Sequence, residues 1–204
     1  MERGIALLSG GIDSPISIHL MKNRLDIIAA HFHQKPLSDE TEIDKVKELS
    51  KLLGISKVYL VPFVDVLKLL TEKCNHKHFF ILQKIAMFKA AELIAEKEGA
   101  KFLITGENLS QVSSQTLSNL KSITENLDLE VLRPVLTYDK QEIIDLAKKI
   151  GTYEISKGPE ICNLLGPKNP STKSKVEVIK EELKELDLPN ILQQALNKAE
   201  ILNL

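Results

Sequence analysis

The first residues able to do chemistry come early, in Ser9-Gly10-Gly11-Ile12-Asp13-Ser14. Two glycines let an anion approach the main chain closely, successive amides form a nest for phosphate oxygens, and hydroxyls stand at both ends. A short apolar run at 5–8 precedes the loop, and Ser14-Pro15 follows it. This reads as a strand turning into a helix, with Ser14 expected as the cap and Pro15 at the first helical position. A helix N-terminus there adds its own attraction for negative charge. The loop lacks the Gly-Lys-Ser/Thr ending of a Walker sequence, so a nucleotide held here would meet different chemistry.

Further stretches carry reactive side chains. After an apolar run, Thr105-Gly106-Glu107-Asn108-Leu109-Ser110-Gln111-Val112-Ser113-Ser114-Gln115-Thr116 crowds polar groups together. Loop making accounts for its glycine, asparagine and serines, but not for a glutamate and two glutamines among apolar residues. Lys140, after Tyr138-Asp139, opens a helical stretch where the macrodipole disfavours a cation. Cys162, in Pro159-Glu160-Ile161-Cys162-Asn163, would react only as a thiolate, in a partly exposed and electropositive setting; a buried cysteine is ordinarily a small apolar residue. Cys74-Asn75-His76-Lys77-His78 alternates soft ligands, but without an evident fourth ligand it is not read as a zinc site. The two cysteines support neither a disulfide framework nor a four-cysteine metal site.

Short apolar runs alternate with stretches of helical period, the pattern of a parallel sheet covered by helices. Strands are expected at residues 5–8, 27–32, 57–61, 102–105 and 131–135, and helices at 15–22, 42–53, 79–98, 140–150 and 173–186. Gly99 is expected to end the third helix as a left-handed cap. The fold class is thus α/β, a Rossmann-like parallel sheet with helices on both faces. Such a sheet gathers the loops after its strands along one edge, where ligands bind. Residues 1–167 are expected to form the catalytic domain, with 168–204 as a helical tail packed on it.

The chain has 204 residues, 43% of them hydrophobic and 27% charged, with a formal net charge of −1. That balance is ordinary for a soluble protein, and a membrane span would need about 20 apolar residues in a row. A cytoplasmic protein is expected. Near-neutral charge argues against binding nucleic acid by charge alone, leaving a local basic face or a partner subunit to do so.

The glycine loop resembles the PP-loop of ATP-pyrophosphatases, which break the α,β bond of ATP. Together with Thr105-Gly106-Glu107, Gln111-Val112-Ser113-Ser114-Gln115-Thr116-Leu117, Leu132-Arg133-Pro134, Tyr138-Asp139-Lys140, Ile150-Gly151-Thr152-Tyr153 and Pro159-Glu160-Ile161-Cys162, it resembles the tRNA 4-thiouridine synthetases, or thiamine-biosynthesis sulfurtransferases of the ThiI type. The resemblance implies an adenine nucleotide alpha-hydrolase fold, ATP and Mg²⁺ as cofactors, tRNA as substrate and a sulfur donor. It places the phosphates on Ser9, Gly10, Gly11, Asp13 and Ser14, with Asp13 also near Mg²⁺. The adenine falls against the backbone near Leu7-Leu8 and His31-Phe32-His33, and Lys84, Gly106 and Gln115 touch the nucleotide. By the same resemblance, Lys140 neutralises developing phosphate charge and Cys162 takes part in sulfur transfer. Some archaeal relatives carry a Cys-x-x-Cys pair able to hold an iron–sulfur cluster; this chain has Phe79 to Leu82 there, so no cluster is expected.

Full-length relatives also carry a THUMP region that grips tRNA, and some a rhodanese domain. The module is expected to stand alone, with tRNA presented by a separate THUMP-type protein or a dimer. Two alternatives stay open: an amide-forming ligase of the NAD synthetase type, and a nucleotide-binding subunit that completes a partner.

Overall fold

The computed structural model describes residues 1–37, 40–109, 113–125, 127–158 and 165–204. In chain order its elements are β1 (Glu2–Leu7), α1 (Asp13–Met21), β2 (Leu25–His33), α2 (Thr41–Leu53), β3 (Lys57–Pro62), α3 (Val64–Lys73), α4 (Phe79–Glu98), β4 (Phe102–Ile104), α5 (Leu117–Thr124), β5 (Glu130–Leu132), α6 (Lys140–Ile150), α7 (Tyr153–Ser156), α8 (Val176–Lys184), α9 (Leu188–Asn197) and β6 (Glu200–Asn203). The strands form a sheet in the order β5-β4-β1-β2-β3-β6, parallel except for β6.

Alternation along the strands explains the layers, because successive side chains of a strand point to opposite faces. Ile5, Ile28, Ala30, Tyr59 and Val61 join the cluster containing Phe79, Leu82, Phe88 and Leu192 of α4 and α9. Their neighbours Ala6, Ile27, Ala29, Val58 and Leu60 join the cluster of Ile18, Val46 and Leu49 from α1 and α2. Both faces are covered, as a parallel sheet requires. The chain leaves β1 towards β2 and β3, then crosses back through α3 and α4 to place β4 on the other side of β1. The carboxyl ends of β1 and β4 therefore flank the topological switch point.

Several expected boundaries shift for visible reasons. Helix α1 begins at Asp13, and its N-cap position falls on Ile12 without a side-chain bond. Ser14 is therefore inside the helix, its hydroxyl turned back to Ser9, and Pro15 is third in the first turn, where no intrahelical N–H partner is needed either. Strand β5 stops at Leu132, since Pro134 cannot donate to a ladder and Leu136 N–H already turns back to Arg133 O at 3.2 Å. Helix α4 ends as expected at Gly99, with φ +65°. The tail is not wholly helical. It makes two helices, α9 packing on α3 and α4, and then β6, which pairs antiparallel with β3. The helix expected from residue 173 starts at Val176, because residues 171–174 are bonded to α5 instead: Asn119 Nδ2 donates to Ser171 O at 2.9 Å and Ser174 N donates to Asn119 Oδ1 at 2.9 Å.

Candidate functional site

The loop after β1 is braced by its own serines. Ser9 N donates to Ser14 Oγ at 3.0 Å, the two hydroxyls lie 3.0 Å apart, and Gly11 N donates to Ser9 Oγ at 3.2 Å. This preorders the turn at the amino end of α1, so an entering anion meets amides already set in place. The loop after β4 closes directly onto it. A methyl group on Gly106 would lie 2.6 Å from Ser14 N, 2.8 Å from Ser14 Cα and 2.9 Å from the Asp13 carbonyl carbon. Only glycine lets these two backbones touch, which joins Gly106 to Asp13 and Ser14 at the switch point.

His31 anchors the ends of β1 and β2. Its Nδ1 lies 2.9 Å from Leu8 O, Leu8 N donates to Ala30 O at 3.0 Å, and the ring is 2% exposed. Burial outweighs that hydrogen bond and lowers its pKa to about 4, so the imidazole is neutral near pH 7 and donates through Nδ1. Its Nε2 is buried without a bond to the protein. Phe32 packs edge-on against Phe63 at 4.8 Å, and Leu8 is 2% exposed. The expected adenine neighbours Leu8, His31 and Phe32 thus have core side chains, and Leu7 is partly buried against the same core.

Sequence reasoning passed over the group that organises the second loop. Glu107, 4% exposed, accepts from Lys84 Nζ at 2.8 Å, from Arg133 Nε at 2.8 Å and from Thr105 Oγ1 at 3.4 Å. Burial pushes its carboxyl up, but the Lys84 and Arg133 charges and hydrogen bonds prevail and hold it below the ordinary carboxylate range. Two cations around one carboxylate leave one positive charge in excess, and Arg133 Nη2 is buried without a partner among the described residues. Asn108, 4% exposed, ties this loop to the turn before α6 by donating from Nδ2 to Val135 O at 2.8 Å and Tyr138 O at 2.6 Å. Gln115, expected at the nucleotide, uses its Oε1 to accept from Asn108 N at 3.2 Å. The signal for Glu107 and Arg133 was present in the quoted segments, as charged residues directly after apolar strands; for Asn108 it was a loop residue among apolar ones.

Lys140 is the exposed first residue of α6, whose cap is Asp139. Asp139 Oδ1 accepts from Glu142 N at 2.8 Å and Glu142 Oε2 accepts from Asp139 N at 2.8 Å, a capping box that sets two acids beside the lysine. Helix α6 packs on α1 through Ile16, Ile143 and Ala147. Cys162 lies outside the described residues, as do Gln111 and Val112. Cys74 is half-buried, and burial together with Glu182 pushes its thiol up to about 11, which makes it a poor partner for thiol exchange at neutral pH. His76 Nε2 lies 2.9 Å from Leu165 O and His78 Nδ1 2.5 Å from Glu182 Oε1. Among the described residues no three His, Cys, Asp or Glu side chains are grouped to hold a metal ion, and no helix is long and apolar enough to cross a membrane.

The comparisons with known proteins accord with this geometry. The protein named "Probable tRNA sulfurtransferase" of Moorella thermoacetica is 38% identical over 207 residues, covering 98% of this chain and 53% of that one. Its namesake in Acetivibrio thermocellus is 37% identical over 209 residues, covering 99% and 53%. A crystal structure of a 4-thiouridine synthetase in complex with RNA and bound ATP superposes with a TM-score of 0.93 at 34% identity, covering 98% of this chain and 54% of that one. The NH3-dependent NAD synthetase of Campylobacter jejuni shares the fold alone, with a TM-score of 0.58 at 17% identity. The chain spans about half the length of the curated relatives it matches. The family described as Thiamine biosynthesis protein (ThiI) matches residues 1–188, and the chain, with its PP-loop and α/β sheet, belongs to that family.

Proposed function

We propose that this chain is the adenylating part of an ATP-dependent tRNA sulfurtransferase that makes 4-thiouridine or a related thionucleoside. The observation that carries the reading is the contact of Gly106 with the Asp13-Ser14 backbone. It joins the PP-loop to a second loop whose buried Lys84-Glu107-Arg133 group holds one excess positive charge. ATP lays its phosphates on residues 9–14, with Mg²⁺ beside Asp13 and the adenine along the main chain of Leu7, Leu8, His31 and Phe32. Gly106 and Gln115 line the nucleotide, and Lys84 supplies charge at its edge.

In the first step the uridine O4 attacks the α-phosphorus, the α,β P–O bond breaks, pyrophosphate leaves and N3 loses its proton. Lys140 offsets the negative charge that builds on the phosphates. A hydrosulfide equivalent then adds at C4, the C4–O bond breaks, AMP leaves with the oxygen and N3 regains a proton. Adenylation serves because a carbonyl oxygen is a poor leaving group and AMP a good one. With a persulfide donor in place of hydrosulfide, its outer sulfur adds at C4 as AMP leaves, and the Cys162 thiolate then attacks the donor's inner sulfur, so that the S–S bond breaks, thiouridine is released and Cys162 is left in a disulfide with the donor. The tRNA is presented by a separate THUMP-type protein or by a dimer, in the cytoplasm.

The test is pyrophosphate release from MgATP by purified chain with tRNA and sulfide. Release that requires both MgATP and tRNA, lost in Lys140→Gln and Asp13→Asn, supports the reading. Release that is independent of tRNA, or that needs ammonia and a carboxylate and survives Cys162→Ser, identifies an amide-forming ligase instead.

A further inference from the structure

Helix α2 sets one lysine over the PP-loop for which the reaction above has no use. A methyl group on Gly10 would lie 3.5 Å from Lys45 Cδ, 3.8 Å from Lys45 Cβ and 3.9 Å from Glu42 Cγ, so the stem of Lys45 lies along the second residue of the loop. Its ammonium continues past the loop to Lys157 O at 3.3 Å and lies 3.3 Å from where a methyl on Gly158 would be. Among the described residues Lys45 makes no ion pair; a neutral carbonyl is its hydrogen-bond acceptor. Lysines of α2 and its flanks that face other acids are paired, as Lys35 is to Glu40 at 2.6 Å and Lys47 to Asp44 at 3.8 Å.

A cation held beside an anion-binding loop on one neutral acceptor is poised to exchange that acceptor for a charged one, since hydrogen bonds from ammonium to phosphate are stronger than those to a carbonyl. The ammonium stands two single bonds beyond Cδ, and rotation about Cγ–Cδ and Cδ–Cε can swing it from Lys157 O towards the space over Gly10. We infer that Lys45 is a phosphate ligand of the ATP site, parked on the Lys157 carbonyl until nucleotide binds, so that the triphosphate and the Lys157-Gly158 peptide compete for one ammonium. This rests on the reading that residues 9–14 bind ATP. Its consequence is coupling: filling the phosphate site removes a tether from the segment that runs directly into residue 159.

Calorimetric titration with MgATP, run beside hydrogen exchange of the peptide spanning residues 153–158, tests it. In the wild type MgATP protects the loop at residues 9–14 and raises exchange in residues 153–158. Lys45→Met weakens MgATP binding about 10-fold or more, the loss of one charge-assisted hydrogen bond. It also shows raised exchange in 153–158 without nucleotide and no further rise with it, while Lys45→Arg restores part of the affinity. A melting temperature for Lys45→Met equal to the wild type's excludes misfolding as the cause. Wild-type binding with Lys45→Met within twofold of it overturns the role of Lys45 and leaves the ATP reading standing, whereas no MgATP binding by the wild type overturns both.

Discussion

Replacing Glu107 by glutamine keeps the shape of the side chain and removes the one negative charge between Lys84 and Arg133. Glu107 is 4% exposed, and the side chains of Lys84 and Arg133 are 21% and 16% exposed, so water can repair little of the loss. Removing one partner of a buried ion pair costs about 3–5 kcal/mol, and the residual exposure of the two cations places this case near about 3 kcal/mol. At about 2–4 °C per kcal/mol for a domain of this size, the melting temperature falls by roughly 6–12 °C. The effect also has a pH signature. The carboxyl's folded pKa lies below its ordinary 4.5, so its contribution is fully present above the unfolded value and lost as pH falls through the folded one. The gap between wild type and Glu107→Gln is therefore wide above the ordinary carboxylate range and narrows steadily as pH falls below it towards the depressed folded value. Urea unfolding of both proteins at pH 7 and at pH 3.5 measures it. A melting temperature for Glu107→Gln within about 2 °C of the wild type's at pH 7, or a gap that does not narrow in acid, would refute the charge network as the organiser of the second loop.

Three further outcomes follow from single contacts. Gly106→Ala drives a methyl to 2.6 Å from Ser14 N and 2.8 Å from Ser14 Cα; separating two backbones costs about 1–3 kcal/mol, and calorimetry should find MgATP binding weakened at least about tenfold. His31, with a folded pKa lowered from 6.5 to about 4, stays neutral while the unfolded chain takes up a proton, so stability falls as pH drops from about 6.5 to about 4 by about 3 kcal/mol. Unfolding at stepped pH, compared with His31→Gln, isolates that slope. Cys74, with its thiol pushed up to about 11, holds well under about 0.1% thiolate at pH 7.5. Alkylation of folded protein should label it far more slowly than unfolded protein, and Cys74→Ser should leave thiolation unchanged.

The sheet was legible because its code is local. Residues 5–8 and 27–30 are apolar on both sides of the strand, which only a sheet covered on both faces explains, and a glycine at 99, where the helical period ends, marked the end of α4 and takes the left-handed φ expected of it. Strand β6 was not legible: Glu200-Ile201-Leu202-Asn203 is too short to signal a strand by itself and is defined by pairing with β3, distant in sequence. The glycine loop could be read from spacing alone, but not the purpose of Gly106, which depends on contact with a backbone met ninety or so residues earlier. The structural part played by His31 was hidden for a related reason. The residue entered through the resemblance alone, as main chain near the adenine, and that its buried ring fastens the strands through Leu8 O is set by contacts the sequence does not display. Glu107 and Arg133 looked like members of a motif, and their pairing with Lys84 across the crevice emerged only in three dimensions.

The central claim, that uridine oxygen attacks the α-phosphate of ATP, can be followed by one isotope. A tRNA carrying ¹⁸O at uridine O4, turned over with MgATP and sulfide, should yield AMP with one ¹⁸O in its phosphate, equimolar with thiouridine and pyrophosphate. Thiouridine formed alongside AMP without the label, or alongside ADP in place of pyrophosphate, would contradict it.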